Sequence, residues 1–123
     1  MAHILLIDDD EFFRKMLRAT LEELGHTVTE ARDGKEGLAL HKSKPADLVI
    51  TDLIMPEKEG LETISELRRL QPGLKIIAMS GGGRISVKDY LPIVKWLGAA
   101  RVLTKPFASE EMITAMAELL AEK

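Results

Sequence analysis

Short apolar runs rich in β-branched residues alternate along this chain with longer stretches in which apolar residues recur every three or four positions. This alternation is typical of successive strand–helix units around a parallel sheet. The apolar runs predict five strands, at residues 3–7, 27–31, 47–51, 75–79 and 100–104. Residues 4–7 and 48–50 are apolar at every position, which is expected of parallel strands that are buried on both faces.

The helical pattern is strongest directly after the first strand. Its periodic residues are Phe13, Met16, Leu17, Thr20, Leu21 and Leu24. Gly25 follows them as a stop, because glycine readily adopts the left-handed conformation that ends many helices. A second, weaker helix is predicted from Gly34 to about Ser43. A third contains Leu61, Ile64, Leu67 and Leu70.

Proline and serine set the starts of the last two predicted helices. Pro92 has no amide hydrogen and is tolerated only in a first turn, so the fourth helix should begin near Asp89. The fifth should have Ser109 as its N-cap, with the apolar side chains of Met112, Ile113, Met116, Leu119 and Leu120 directed inward. The expected fold is therefore α/β, a doubly wound (βα)5 parallel sheet with the flavodoxin-like strand order 2-1-3-4-5.

Length, charge and cysteine content narrow the possible functions. A chain of 123 residues suits one domain, over residues 1–123, and is too short for a two-domain enzyme. The net charge is −3, and the longest basic run is the pair Arg68-Arg69, so we expect no direct contact with nucleic acid. Without cysteine, or an apolar run long enough for a membrane span or signal peptide, we expect a soluble cytoplasmic protein with no membrane contact.

Polar side chains follow the predicted strands at their carboxyl ends, where open parallel sheets bind ligands. These residues are Asp8, Asp9, Asp10, Asp52, Ser80 and Lys105. In the order 2-1-3-4-5 the first and third strands are neighbours, so Asp8, Asp9 and Asp52 converge. We assign Asp10 a different role, as the N-cap of the first helix.

Converging carboxylates repel each other unless a cation is present. Oxygen ligands of this kind suit Mg²⁺, which keeps several waters and needs only one or two carboxylates beside phosphate oxygens. Lys105 offers a compact positive charge and Ser80 a hydroxyl, and both can hold a phosphoryl group. An aspartate in such surroundings can be the nucleophile and form an aspartyl-phosphate.

These residues resemble the receiver domain of bacterial two-component response regulators, which has the chemotaxis-regulator-like fold. The resemblance rests on residues 4–11, on residues 47–52 with Met55-Pro56 and Gly60 after them, on Ser80, and on residues 103–107. It covers essentially the whole chain. It implies a phosphoacceptor signalling domain that assists its own phosphorylation and dephosphorylation, rather than an enzyme with steady turnover.

The resemblance also implies a role for each site residue. Asp52 takes a phosphoryl group from a sensor histidine kinase or a histidine phosphotransfer protein. Mg²⁺, with Mn²⁺ as a substitute, is ligated by Asp9, Asp52 and the backbone carbonyl of Ile54, while Asp8 acts mainly through water.

On the far side of the phosphoryl group, the family pattern places Ser80 and Lys105. Ser80 donates a hydrogen bond to a phosphoryl oxygen, Lys105 pairs with the group, and the Lys105-Pro106 peptide is cis. Phosphorylation then changes the surface that binds a downstream protein, or a second copy through the face of the fourth and fifth helices.

Two departures from the family pattern concern how the signal leaves the site. Val102 stands where the family usually has an aromatic switch residue, three positions before the lysine. Gly81-Gly82-Gly83 follows the switch hydroxyl of Ser80, which raises the conformational entropy of that loop. We therefore expect the conformational change on phosphorylation to occur in the loop at residues 81–88 and in the fourth helix, which contains Trp96, instead of through an aromatic side chain at position 102.

Three other interpretations share parts of this pattern. A haloacid-dehalogenase-type phosphatase also uses acidic residues after its first strand, but this chain is short for that fold and lacks paired acids after a later strand. A flavodoxin-type flavin carrier needs a phosphate loop where residues 8–10 would repel phosphate. A receiver fold that only docks, without phosphorylation, would have no need of the full set of acids, hydroxyl and lysine.

Overall fold

The computed structural model describes residues 2–53, 60–80, 99, 101–105 and 107–121. Within these ranges the chain forms one parallel sheet of five strands in the order β2-β1-β3-β4-β5. The strands are β1 (His3–Ile7), β2 (Thr27–Ala31), β3 (Leu48–Asp52), β4 (Lys75–Ser80) and β5 (Arg101–Thr104). The predicted flavodoxin-like order is confirmed.

The described residues also form four helices, α1 (Glu11–Glu23), α2 (Gly34–Ser43), α3 (Gly60–Leu70) and α4 (Ser109–Ala121). Asp10 is the N-cap of α1, because its side chain accepts a hydrogen bond from the Phe13 amide, as predicted. Gly25 adopts φ 94°, the left-handed conformation expected of the residue that ends this helix. Both ends of α1 therefore follow from local sequence.

Two apolar layers cover the faces of the sheet. On one face, side chains such as Leu5 and Val49 pack against Leu38 of α2 and Ile64 and Leu67 of α3. A Cβ atom at Gly37 would overlap the Ile7 side chain, so a glycine there lets α2 approach β1 closely. On the other face, the apolar side chains come from β1, β3 and β4 and from α1 and α4. The central strands are consequently apolar on both sides.

Several predicted boundaries are wrong by one residue. The third strand begins at Leu48 and ends at Asp52, and the Asp47 carboxylate before it accepts a hydrogen bond from the His3 amide. The fourth strand extends to Ser80. Ser109 is the first helical residue rather than the N-cap of α4, and the amide of Ala108 before it donates to the Glu111 carboxylate.

The apolar pattern also misplaces some side chains of the helices. Met16 and Leu24 belong to the predicted periodicity of α1, yet they are 55% and 41% exposed. Arg14 is buried on that helix instead. In α4, Ile113 and Leu120 are only half-buried, whereas Ala115 is buried.

Some predictions concern residues outside the described ranges. These are the fourth helix from Asp89 with Pro92 and Trp96, the loop at residues 81–88, Ile54 and the Met55-Pro56 turn, Ala100 at the start of the fifth strand, and Pro106. The predicted dimer face includes that fourth helix, so it stays a prediction. Within the described ranges, none of the helices has the length and apolar character needed to cross a membrane.

Candidate phosphoryl-transfer site

Three aspartates meet at the carboxyl end of β1 and β3. Ile7 pairs with Thr51 in the parallel register, so the residues that follow them, Asp8 and Asp52, lie side by side at the same edge of the sheet. One carboxylate oxygen from each of Asp8, Asp9 and Asp52 lies within 4.8 Å of the other two. The structure therefore brings together the three acids that the sequence predicts to converge.

The three carboxylates differ in their surroundings. Asp8 is fully buried, Asp52 is 7% exposed and Asp9 is exposed. One oxygen of Asp8 accepts a hydrogen bond from the Asp10 amide at 2.9 Å, and the other accepts one from the Lys105 ammonium at 2.7 Å. Both oxygens of Asp8 are thus engaged by groups of the protein.

Lys105 reaches the acids from the end of β5. Its amide donates to the Ser80 carbonyl at 2.7 Å, which holds the start of the segment after β5 against β4. From there its ammonium contacts Asp8 and lies 3.6 Å from the nearer oxygen of Asp52. One lysine charge balances part of the charge of three carboxylates that lie close together. A hard divalent cation, which prefers oxygen ligands, suits the negative charge that Lys105 leaves unbalanced.

Ser80 and Val102 lie in the adjoining strands. Ser80 is fully buried at the end of β4, one residue beyond Met79, which pairs with Asp52. Val102 is half-buried in β5 and pairs with Ala78. Ser80 therefore lies at a strand end, as the sequence predicts, whereas Val102 lies within β5. Ile54, the fourth predicted contributor to the metal site, lies outside the described residues.

A buried ion-pair cluster next to the site was missed by the sequence analysis. Arg14 donates to the Asp8 backbone carbonyl at 2.7 Å and to the Glu30 carboxylate at 2.7 Å. Lys15 and Arg18 also pair with Glu30. Burial alone raises the pKa of Glu30, but hydrogen bonds from Arg18, Arg14 and Lys15 together lower it to about 2.

In the sequence, this cluster is indicated by a charged residue that occupies a position of the helical apolar pattern. Arg14 stands three and seven positions before Leu17 and Leu21, on the face of α1 that packs on the sheet. Glu30 likewise lies inside a strand, where a charged residue needs a partner. Because Arg14 bonds to the backbone of Asp8, the cluster connects β2 and α1 to the acidic site.

Two phenylalanines beside Lys105 were also missed as parts of the site. The Lys105 ammonium lies 4.2 Å from the centroid of the Phe13 ring, and the Phe107 ring packs on Phe13 at right angles. In the sequence, Phe13 is simply one apolar residue of a helical pattern. Only the tertiary structure shows that it faces a charged group.

Comparison with known proteins gives the site a family context. The family model of the response regulator receiver domain matches residues 4–117. Chemotaxis protein CheY of Halobacterium salinarum is 33% identical over 117 residues, which are 95% of this chain and 95% of that protein. Transcriptional regulatory protein GlrR of Escherichia coli K12 is 34% identical over 121 residues, 98% of this chain but only 27% of GlrR.

A solved structure supports the same relationship. Response regulator protein TrrA of Thermotoga maritima, in complex with Mg²⁺ and BeF, is 32% identical and superposes with a TM-score of 0.85. The match covers 97% of this chain and 99% of that one. The acidic cluster beside a lysine and these similarities agree: this chain belongs to the family of response regulator receiver domains, the signalling domains of two-component systems.

Proposed function

We propose that Asp52 accepts the phosphoryl group in this receiver domain, which we take to extend over residues 1–123. The observation that carries the proposal is the position of Asp52 at the end of the central strand, inside the acidic cluster and 3.6 Å from the Lys105 ammonium. Asp8 is fully buried and both of its oxygens accept hydrogen bonds, so we assign it a supporting role in the cluster. Asp9 is the exposed member of the cluster and suits a metal ligand.

The donor in this proposal is the phosphohistidine of a sensor kinase or of a histidine phosphotransfer protein. An Asp52 oxygen attacks phosphorus, the bond from phosphorus to the imidazole nitrogen breaks, and the imidazole leaves as a neutral ring after taking up a proton. Water later hydrolyses the acyl phosphate to inorganic phosphate and the free carboxylate. Each cycle takes one phosphoryl group from the donor, and the domain does not hydrolyse phosphomonoesters.

The acidic cluster fits Mg²⁺, and Mn²⁺ by the same chemistry. We assign Asp9, Asp52 and the Ile54 carbonyl as protein ligands, with Asp8 acting through water because its oxygens are occupied. A bound Mg²⁺ supplies neutralisation of charge on the attacking carboxylate and the phosphoryl oxygens. Lys105 adds a second positive charge, and Ser80 donates its hydroxyl to a phosphoryl oxygen. Val102 occupies the position in β5 at which the family usually has an aromatic switch residue.

Labelling with a small phosphodonor tests the assignment. Incubation with acetyl phosphate and Mg²⁺ should add one phosphoryl group to the parent protein, measured by intact-protein mass spectrometry. Asp52→Asn should add none, because the amide is not a nucleophile. Asp10→Asn is the matched control, since Asn is an equally good N-cap, and it should be labelled like the parent. Undiminished labelling of Asp52→Asn would rule out Asp52, and continuous release of phosphate from a phosphomonoester would favour a phosphatase.

A protein donor must also cover the surface around Asp52, and the first turn of α1 forms part of it. Phe12 is 76% exposed and Met16, one turn further, is 55% exposed, which makes an apolar patch beside the site. We expect the patch to contact the histidine donor. For a kinase that labels the parent, Phe12→Ser and Met16→Ser should each lower the ratio of kinase labelling to acetyl phosphate labelling roughly tenfold.

The control for this experiment is an apolar residue far from the patch. Leu70 is 50% exposed at the end of α3, and Leu70→Ser should keep the ratio of the parent. An unchanged ratio in both α1 variants would show that the donor docks elsewhere.

A further inference from the structure

We propose that Phe13 is a positioning residue for Lys105, holding its ammonium on the face of the aromatic ring while the lysine changes partners at the phosphoryl site. The proposal rests on the proposed role of Asp52 as the phosphoacceptor. It assigns a function to a helix residue that the sequence marks only as apolar. The chain has three phenylalanines, of which Phe13 contacts this lysine and Phe107 packs against Phe13.

The ammonium lies between an aromatic ring and two carboxylates. Its nitrogen is 4.2 Å from the Phe13 centroid, 2.7 Å from an Asp8 oxygen and 3.6 Å from an Asp52 oxygen. The Lys105 side chain is 19% exposed, so little water competes for the charge. Attraction between a cation and a ring face is strongest when the cation is desolvated in this way.

The orientation of the Phe13 ring is itself fixed by packing. Phe107 contacts it with a centroid separation of 5.9 Å and an angle of 89° between the rings, a favourable perpendicular arrangement. Both rings pack against the apolar layer that α1 and α4 form on the sheet. Phe107 is only two residues after Lys105. The segment that contains the lysine therefore also supplies the ring that packs against Phe13.

The two kinds of contact place different demands on Lys105. Its hydrogen bond to Asp8 is directional, and in the proposed function the ammonium must turn to the phosphoryl group on Asp52. The attraction of a ring face depends weakly on the direction of the N–H bonds. Phe13 can therefore hold the charge at the site before and after the exchange of partners, without competing for a hydrogen bond.

Substitution of Phe13 by a non-aromatic and by an aromatic residue tests the proposal. With acetyl phosphate and saturating Mg²⁺, Phe13→Leu should be phosphorylated roughly 3- to 10-fold more slowly than the parent, as expected for loss of a desolvated cation–ring contact. Phe13→Tyr keeps the ring and should react at the rate of the parent. Urea unfolding checks that each variant is folded, and Phe13→Met replaces Phe13→Leu if the latter is not.

A double-mutant cycle separates positioning of Lys105 from a general packing role. In a Lys105→Gln background, Phe13→Leu should cause no further loss of rate. The proposal is overturned if Phe13→Leu reacts as fast as the parent, if Phe13→Tyr is as slow as Phe13→Leu, or if the loss persists in the Lys105→Gln background. Labelling of Asp52→Asn reports separately on the phosphoacceptor, so failure of that assignment is distinguishable.

Discussion

Replacing Glu30 with Gln is expected to lower the free energy of unfolding by about 2–3 kcal/mol at pH 7. The side chains of Glu30 and Arg14 are only 10% and 7% exposed, and Arg14 has no other carboxylate partner among the ion pairs of the described residues. The substitution removes the counter-charge of this buried guanidinium and leaves it only neutral acceptors, which are the Asp8 carbonyl and the new side-chain amide oxygen. Urea denaturation at pH 7 measures the loss directly.

The pH dependence of this loss provides a second check. The pKa of Glu30 in the folded protein is lowered from 4.5 to about 2, so the unfolded chain binds the proton more readily. The stabilisation is fully present above about pH 4.5 and is lost as the pH falls towards 2. The difference in stability between the parent and Glu30→Gln should shrink over that interval.

A matched control uses an exposed partner of the same cluster. Glu22 pairs with Arg18 at 3.2 Å, but both side chains are substantially exposed. Glu22→Gln should change the free energy of unfolding by less than about 0.5 kcal/mol. Equal losses in the two variants, or a Glu30→Gln difference that does not vary with pH, would contradict the structural role of the buried cluster.

Saturating Mg²⁺ should stabilise the unphosphorylated domain by about 2.7 kcal/mol at a hundredfold excess over its dissociation constant. The reason is that the folded chain brings the oxygens of Asp8, Asp9 and Asp52 within 4.8 Å of one another, whereas the unfolded chain does not. Asp9→Asn should remove most of this stabilisation. It should be at least as stable as the parent in EDTA, because one repelling charge is gone.

Thermal unfolding with Mg²⁺ and with EDTA measures both effects. Asp10→Asn retains the N-cap and lies outside the acidic cluster, so it should keep the Mg²⁺ response of the parent. A melting temperature of the parent that Mg²⁺ does not change would contradict the metal site. A full Mg²⁺ response in Asp9→Asn would remove Asp9 from the ligand set.

The sheet and the acidic cluster are predictable because they depend on short-range patterns combined with one topological rule. The first two strands and α2 have the predicted bounds, since apolar runs and glycine or proline mark them clearly. Once β1 and β3 are neighbours, the residues after Ile7 and Thr51 must approach each other. The convergence of Asp8 and Asp52 follows from that register without knowledge of any side-chain contact.

The supporting contacts are not predictable in the same way, because each joins residues far apart in the chain. Nothing near Arg14 indicates that Glu30, on another strand, supplies its counter-charge. Phe13 faces Lys105 only because the tertiary structure brings the residue after β5 against the first turn of α1. The sequence predicts Ser109 as an N-cap, but the helix already includes Ser109, and the amide of the preceding Ala108 donates to the Glu111 carboxylate.

Chemical mapping of the phosphorylated residue tests the central claim most directly. Borohydride reduces an acyl phosphate to an alcohol, so a phosphorylated aspartate becomes homoserine and can be located by peptide mass spectrometry. After treatment with acetyl phosphate and Mg²⁺, we expect homoserine at position 52 and unmodified aspartate at positions 8, 9 and 10. Homoserine at any of those three positions, with Asp52 intact, would contradict the assignment of Asp52 as the phosphoacceptor.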